Sequence, residues 1–335
     1  MNKARRWGVS LSWAVLATTQ VFGSQAAARA DGSVAVVEHA VPTAGSGPTE
    51  IVLGPDGRHL WFTEFSGNNI GRIGRSGQIR EFAIPTLASA PDGIAVGPDD
   101  NIWFAEVLGN KIGRLTKTGA FSEFIVPTLG ARPSVITAGP DDDLWFTERG
   151  SPVDPGETIG RITTEGEITE FPVPTQNSRP LGITLGPDGN LWFTEQLGNN
   201  VGRITPDGSV TEYPLPNPGS WPWEIAAGPD GALWFTELLG NRIGRITTDG
   251  IITEVGLPNP GSFPNVITRG PGHMLFFSES EGNRIGRITT DGLITEFLVP
   301  TPNSQPIGVA EGPDDETVWF TEGRGNKIGE LILDE

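Results

Sequence analysis

The chain of 335 residues has no cysteine, one tyrosine, two methionines and three histidines. Without cysteine there is no disulfide framework, no thiolate nucleophile and no lipoprotein attachment point. The histidines, His39, His59 and His273, are widely spaced, and no H-E-x-x-H pairing, G-x-S-x-G elbow or phosphate-binding loop occurs. A general base built from histidine is therefore hard to assemble. Basic residues are also scarce, 23 Lys and Arg against 41 Asp and Glu. An acidic surface repels phosphate backbones and anionic lipid, which argues against nucleic acid and membrane surfaces as partners.

Long apolar runs are missing except near the start, where a basic Met1-to-Arg6 segment precedes an apolar stretch from Trp7 to about Gly23 and an Ala28-Arg29-Ala30 site. That pattern predicts a secretory signal peptide, 1–30, cleaved after Ala30. The apolar stretch is shorter than the ~20 residues that span a bilayer. The expected location is secreted or periplasmic, with no membrane insertion after cleavage. Four of the 23 basic residues and none of the 41 acidic residues lie in 1–30, so the remainder carries 19 basic residues and a formal charge of −22.

What the chain has in abundance is repetition. An LWFTE-like word recurs with its acid at Glu64, Glu106, Glu148, Glu195, Glu237, Glu279 and Glu322, at intervals of 42, 42, 47, 42, 42 and 43 residues. An IGRI-like word also recurs seven times, and a period near 42 is that of propeller blades. Each period holds four short runs rich in Val, Ile, Thr and aromatics, such as GIAV, NIWFAE, KIGRLT and FSEFIVP, divided by Gly, Pro, Asn and Asp. These read as four antiparallel strands, A to D. After the signal the chain opens with a lone D word, Val36 to Thr43, and it stops just after a C word. The two ends complete one blade, which removes the exposed edges of an open array. The expectation is all-β: one domain, 31–335, a seven-bladed β-propeller of four-stranded antiparallel blades, closed by the N-terminal strand and monomeric.

Rings of seven Glu and six Arg (Arg72, Arg114, Arg161, Arg203, Arg245 and Arg287) invite a cation site at a channel mouth. Seven copies of one residue point instead to a shared structural need, each Glu accepting loop N–H groups or pairing with a nearby Arg. Function is expected where the copies differ. Each A strand begins at a proline (48, 91, 133, 180, 222, 264 and 306), and the flanking residues are the least repetitive in the chain. They include Asp92, Arg132, Arg179, Trp221, Trp223, Phe263, Asn265 and Gln305. Trp221 and Trp223 are the only tryptophans after residue 30 outside the LWFTE words. With Phe263, Asn265, Gln305, Arg132 and Arg179 they predict a pocket at the central opening for a flat or amphipathic small-molecule, peptide or glycan ligand. The five extra residues of blade three, carrying Asp154 and Glu157, lengthen the B-to-C loop on the same face.

The words GPDGNLWFTE, GNRIGRITTDG and ITEFLVPTPNSQP closely resemble the virginiamycin B lyase (streptogramin lyase) family, over essentially the whole chain from Val36 to Leu331. The resemblance implies a seven-bladed propeller that opens a cyclic depsipeptide antibiotic by Mg²⁺-assisted elimination. Counting blades, the family's substrate-contacting Tyr falls on Thr49 and a His on Asn265. Its metal-binding Glu and general-base His, which flank a proline, fall on Gln305 and Ile307, and a second metal-binding Glu falls near Glu322. Ile307 cannot take a proton, and Gln305 is a weaker Mg²⁺ ligand than a carboxylate. No cofactor is established by the residues themselves. The expected function is a ligand-binding propeller. One alternative is a C–O lyase with a rearranged site, with Glu322 as metal ligand and Glu322 and Asp92 as catalytic candidates. The other is a metal-dependent lactone hydrolase of propeller type, using Asp92 and Asn265.

Overall fold

The structure, a computed structural model, describes residues 34–333 apart from 152–153, and the side chains of 151–156 are also outside the description. The signal peptide expected at 1–30 and the side chain of Asp154 thus lie outside the described residues. Seven four-stranded antiparallel sheets form the ring. Blade one is Pro48–Leu53, His59–Glu64, Asn69–Gly74 and Ile79–Ala83. Blade seven takes strands A to C from Pro306–Glu311, Thr317–Glu322 and Lys327–Ile332, and its outer strand is Ala35–Ala40 from the other end of the chain. The two ends pair antiparallel, from Ala35 opposite Ile332 to Ala40 opposite Lys327. Among the described residues the only helical element is a 3₁₀ turn at Pro271–His273.

Physical roles explain the repeated words. In strand B, Trp and Phe point to opposite faces, and each joins the core between its blade and a neighbour: Trp61 of blade one and Phe104 of blade two meet in one buried cluster. Burial of such a ring stabilises by about 1.5–3 kcal/mol. The indole N–H of Trp103 donates to the turn carboxylate of Asp99 at 2.9 Å, and Arg114 lies over the ring with its guanidinium carbon 5.3 Å from the centroid. Arg72, Arg161, Arg203 and Arg245 cover their tryptophans in the same way. The repeated arginines therefore cap aromatic rings. The glycine of IGRI leaves room for the strand-B phenylalanine, since a Cβ on Gly113 would sit 2.1 Å from Phe104 Cζ.

Neighbouring blades are also tied at the loops. The D-strand carboxylate Glu81 accepts from the backbone N–H and the hydroxyl of Thr43 at 2.8 and 3.0 Å, and Glu123 holds Thr86 in the same manner. Glu38, on the closing strand, holds Thr301 at 2.9 and 2.8 Å and so repeats the tie across the seam.

Candidate functional site

All seven A strands start with one backbone device. The residue before each proline has φ between 53 and 59°: Gly47, Ala90, Arg132, Arg179, Trp221, Phe263 and Gln305. This is the left-handed region that glycine takes freely and other residues take at a cost of about 1–2 kcal/mol. After the proline each strand slips register against strand B, as between Pro222 opposite Glu237 and Ile225 opposite Phe235. Such a bulge leaves ladder groups unpaired and re-aims side chains.

The strand-B hydroxyl repairs the break. Thr194 accepts from the Gly182 N–H at 3.0 Å and donates to the carbonyl of Trp223 on the next blade at 2.6 Å. Thr63 does the same for Asp92, and Thr147 for Leu181, both at 2.7 Å. Thr236 and Ser278 hold the carbonyls of Asn265 and Ile307, and Thr321 closes the ring onto Thr49. Blade two has Ala105 at this position, so the carbonyl of Ser134 lacks the tie. Every other post-proline residue is anchored by the blade before it.

The anchored residues converge. The post-proline side chains of all seven blades, Thr49, Asp92, Ser134, Leu181, Trp223, Asn265 and Ile307, line one axial cavity of about 280 Å³. Phe65, Arg149 and the second residues after proline in blades one, three and five, Glu50, Val135 and Glu224, complete it. Glycine at that second position in blades two, four and seven allows the close approach. A Cβ on Gly182 would lie 2.7 Å from both Glu224 Cα and Glu224 Oε1, and one on Gly308 would lie 2.3 Å from the Thr49 carbonyl. Small residues in three blades thus make room for larger ones at the narrow end of the ring.

The cavity is rich in acceptors. Burial pushes Glu50 well above the usual carboxylate range, and Glu224 and Asp92 add to it. Burial likewise pushes Glu224 up to about 8 against the hydrogen bond from Ile225 N–H, with Asp92 raising it further. Asp92 is also raised by burial, partly offset by the Arg149 guanidinium 4.0 Å away and by a 3.1 Å hydrogen bond from Ser134 Oγ. The Oδ1 of Asn265 is buried, and no described donor reaches it.

Of the residues singled out in the sequence, Asp92, Trp223 and Asn265 line this cavity together. Arg132, Arg179, Trp221, Phe263 and Gln305 stand one residue before the proline, half-buried on the loop side, and are not part of the lining. Their carbonyls accept from the B-to-C loops, as Trp221 does from Leu238 N–H at 3.0 Å. Glu322 is fully buried, as are the other six strand-B glutamates, and it too is outside the lining. Burial raises Glu322 to about 8, and the Glu38 carboxylate adds to the shift. Glu50, Glu224 and Arg149 escaped the sequence reading. The signal was P-x-E in blades one and five, where three other blades have P-x-G.

The residues do not fit the Mg²⁺ centre that the resemblance implies. Gln305 supplies no carboxylate, Ile307 supplies no base, and Glu322 is a repeated structural acid held in the protonated range. Among the described residues no group of three or more His, Asp or Glu is arranged to hold a metal ion. No chemical step is therefore assigned to a metal here.

A seven-bladed propeller whose blades each deliver at least one side chain to an axial cavity is the class that fold and site define. The chain belongs to the virginiamycin B lyase family, which residues 11–220 and 189–335 match. A solved streptogramin B lyase is 41% identical, covers 89% of this chain and 97% of its own, and has a TM-score of 0.84. The selenomethionine-substituted virginiamycin B lyase from Staphylococcus aureus is 40% identical, with 90% and 100% covered and a TM-score of 0.85. A catalytically inactive histidine-to-alanine variant of the S. aureus lyase, solved with quinupristin, is similar to the same degree. Hydrazine synthase of Kuenenia stuttgartiensis, 17% identical with a TM-score of 0.70, shares the fold alone. No curated protein matches the chain.

Proposed function

We propose that the protein is an exported propeller that binds a small-molecule, peptide or glycan ligand at the axial cavity. The ligand presents N–H or O–H donors to the carboxyls and Asn265 and lays an apolar face on Trp223. The observation that carries this reading is the axial cavity itself, lined by all seven blades and bringing Glu50, Asp92, Glu224, Asn265 and Trp223 to one place. Leu87 and Leu129 on D-to-A loops and Leu108 on a B-to-C loop are exposed on the face of the ring where the A strands start, which suits a ligand larger than the cavity.

Titration with candidate peptides and glycans, followed by tryptophan fluorescence, tests the reading. The wild type should respond, and Trp223→Phe should lose most of the response while Trp221→Phe keeps it. Equal responses from the wild type and Trp223→Phe would remove the axial cavity as the site. For an amine-bearing ligand, affinity should rise with pH through about 8, because Glu224 must lose its proton to face a cation. Glu224→Gln should flatten that dependence.

One observation favours the lyase reading as second: Glu224, raised to about 8 in the cavity, is a carboxyl tuned into the range of a general base. Incubation with quinupristin, read by mass spectrometry for the linearised product, decides between them. The binding reading expects no ring opening, since Ile307 occupies the position that the family resemblance gives to the base. Ring opening abolished by Glu224→Gln would establish the lyase in its place.

A further inference from the structure

Three arginines gather beside the cavity, between blades three and four. Arg132 and Arg179 occupy the same pre-proline position in adjacent blades, both with left-handed backbones, φ 54 and 55°. Blade one has Gly47 at that position, so a long cationic side chain is not required by the turn. Arg149 lies toward the end of strand B of blade three, Leu144–Ser151, and its backbone N–H reaches the Arg132 carbonyl at 3.4 Å. Its side chain is 18% exposed, lines the cavity and lies 4.0 Å from Asp92.

The charges in this group are not balanced. Asp92 is the one acid within ion-pair distance of Arg149 among the described residues, and neither Arg132 nor Arg179 makes an ion pair or a side-chain hydrogen bond there. Glu157, on the lengthened blade-three hairpin, accepts the Asn177 backbone N–H instead. Burial lowers the Arg179 pKa, and the guanidinium groups of Arg149 and Arg132 lower it further. A chain with so few cations has placed three where they repel one another. Planar guanidinium groups with free N–H donors match the oxygens of carboxylates and phosphoryl groups, often two bonds at a time.

We propose that Arg132, Arg149 and Arg179 form an oxyanion subsite on the rim, which takes a carboxylate or phosphoryl group of the ligand whose body occupies the axial cavity. This rests on the ligand-binding reading above and gives it chemistry. The cavity offers acceptors and an aromatic face, and the rim offers donors of positive charge. The ligand class is one that bears an oxyanion at one end and N–H or O–H donors at the other. Because the protein as a whole is strongly acidic, the subsite selects by short-range bidentate contact rather than by long-range attraction.

The test uses the full chain and two probes, inorganic phosphate and acetate, titrated at constant ionic strength against chloride while thermal melting is followed. A probe that occupies the subsite raises the wild-type Tm by about 2–4 °C near tenfold saturation. Phosphate acting alone identifies a phosphoryl site, and acetate acting alone or equally identifies a carboxylate site. Arg179→Gln and, separately, Arg132→Gln should abolish the rise. They should also melt at or above the wild type without probe, because each relieves like-charge crowding, whereas a structural arginine would lower the Tm when removed. Trp223→Phe should keep the full phosphate or acetate shift. Failure of the fluorescence titration together with a retained anion shift would overturn the cavity reading and leave the rim. The proposal falls if neither probe moves the wild-type Tm, or if the glutamine variants respond as the wild type does.

Discussion

Thr194 shows how one hydroxyl can govern a site it does not touch. It accepts from Gly182 N–H in its own blade and donates to the Trp223 carbonyl in the next, and its side chain is fully buried. Thr194→Val keeps the shape and removes both bonds, leaving two buried backbone groups unpaired. The expected cost is about 1–3 kcal/mol, seen as a Tm lower by several degrees, with Trp223 emission broadened as its backbone loosens. Thr194→Ser should melt close to the wild type, and a serine variant as damaged as the valine one would show that the methyl group, not the hydroxyl, matters. Blade two supplies a natural contrast. With Ala105 in place of the hydroxyl, the post-proline Ser134 instead turns its own hydroxyl to Asp92. The acid that faces Arg149 is thereby fixed from the blade that lacks the tie.

At the scale of the strand, the close contact between glycine and phenylalanine is the least forgiving. Gly113→Ala would place a methyl 2.1 Å from Phe104 Cζ, and the ring cannot leave because it is fully buried between blades. Overpacking of this kind costs about 1–3 kcal/mol or more. The expected outcome is a markedly lower Tm or loss of soluble protein, while Gly256→Ala, whose new methyl meets nothing within 4 Å, should be neutral or slightly stabilising. Equal tolerance at both sites would contradict the packing described. The blades were legible in the sequence because one packing problem is solved seven times in the same words, and the closing strand was legible because an orphan D word faced an incomplete blade. The cavity was only half legible. Reading the residues on either side of each proline presumes that neighbours point apart, but the bulge turns the first and second residues after proline toward the axis together. Thr49 with Glu50, and Trp223 with Glu224, therefore line the cavity as pairs, and the pre-proline residues stand back from it.

For the whole ring, the seven strand-B glutamates set the pH response. Burial raises Glu64, Glu106, Glu237 and Glu279 to about 7, and Glu148, Glu195 and Glu322 to about 8, from an ordinary 4.5. The native state then holds more protons than the unfolded chain from about pH 4.5 to 8, so stability falls as pH rises across that interval. Below it, the lowered carboxyls, among them Glu38, Glu123 and Asp188, lose their contribution as they protonate. The melting temperature should be higher at pH 5 than at pH 8.5, and Glu106→Gln should narrow the gap by stabilising the alkaline side. A Tm that is flat or rises toward pH 8.5 would refute this balance. The seam that completes the ring has a further, mechanical consequence. Ala35 begins the closing strand and Ile332 ends its partner, and the two stand opposite each other. A force applied to the chain at these two points loads one hydrogen-bonded pair at a time and opens the clasp like a zipper, whereas the other blades, bounded by covalent turns, would resist until the ring is already open. A propeller whose ring is closed at equilibrium is thus easily unbuckled by tension, from one known place.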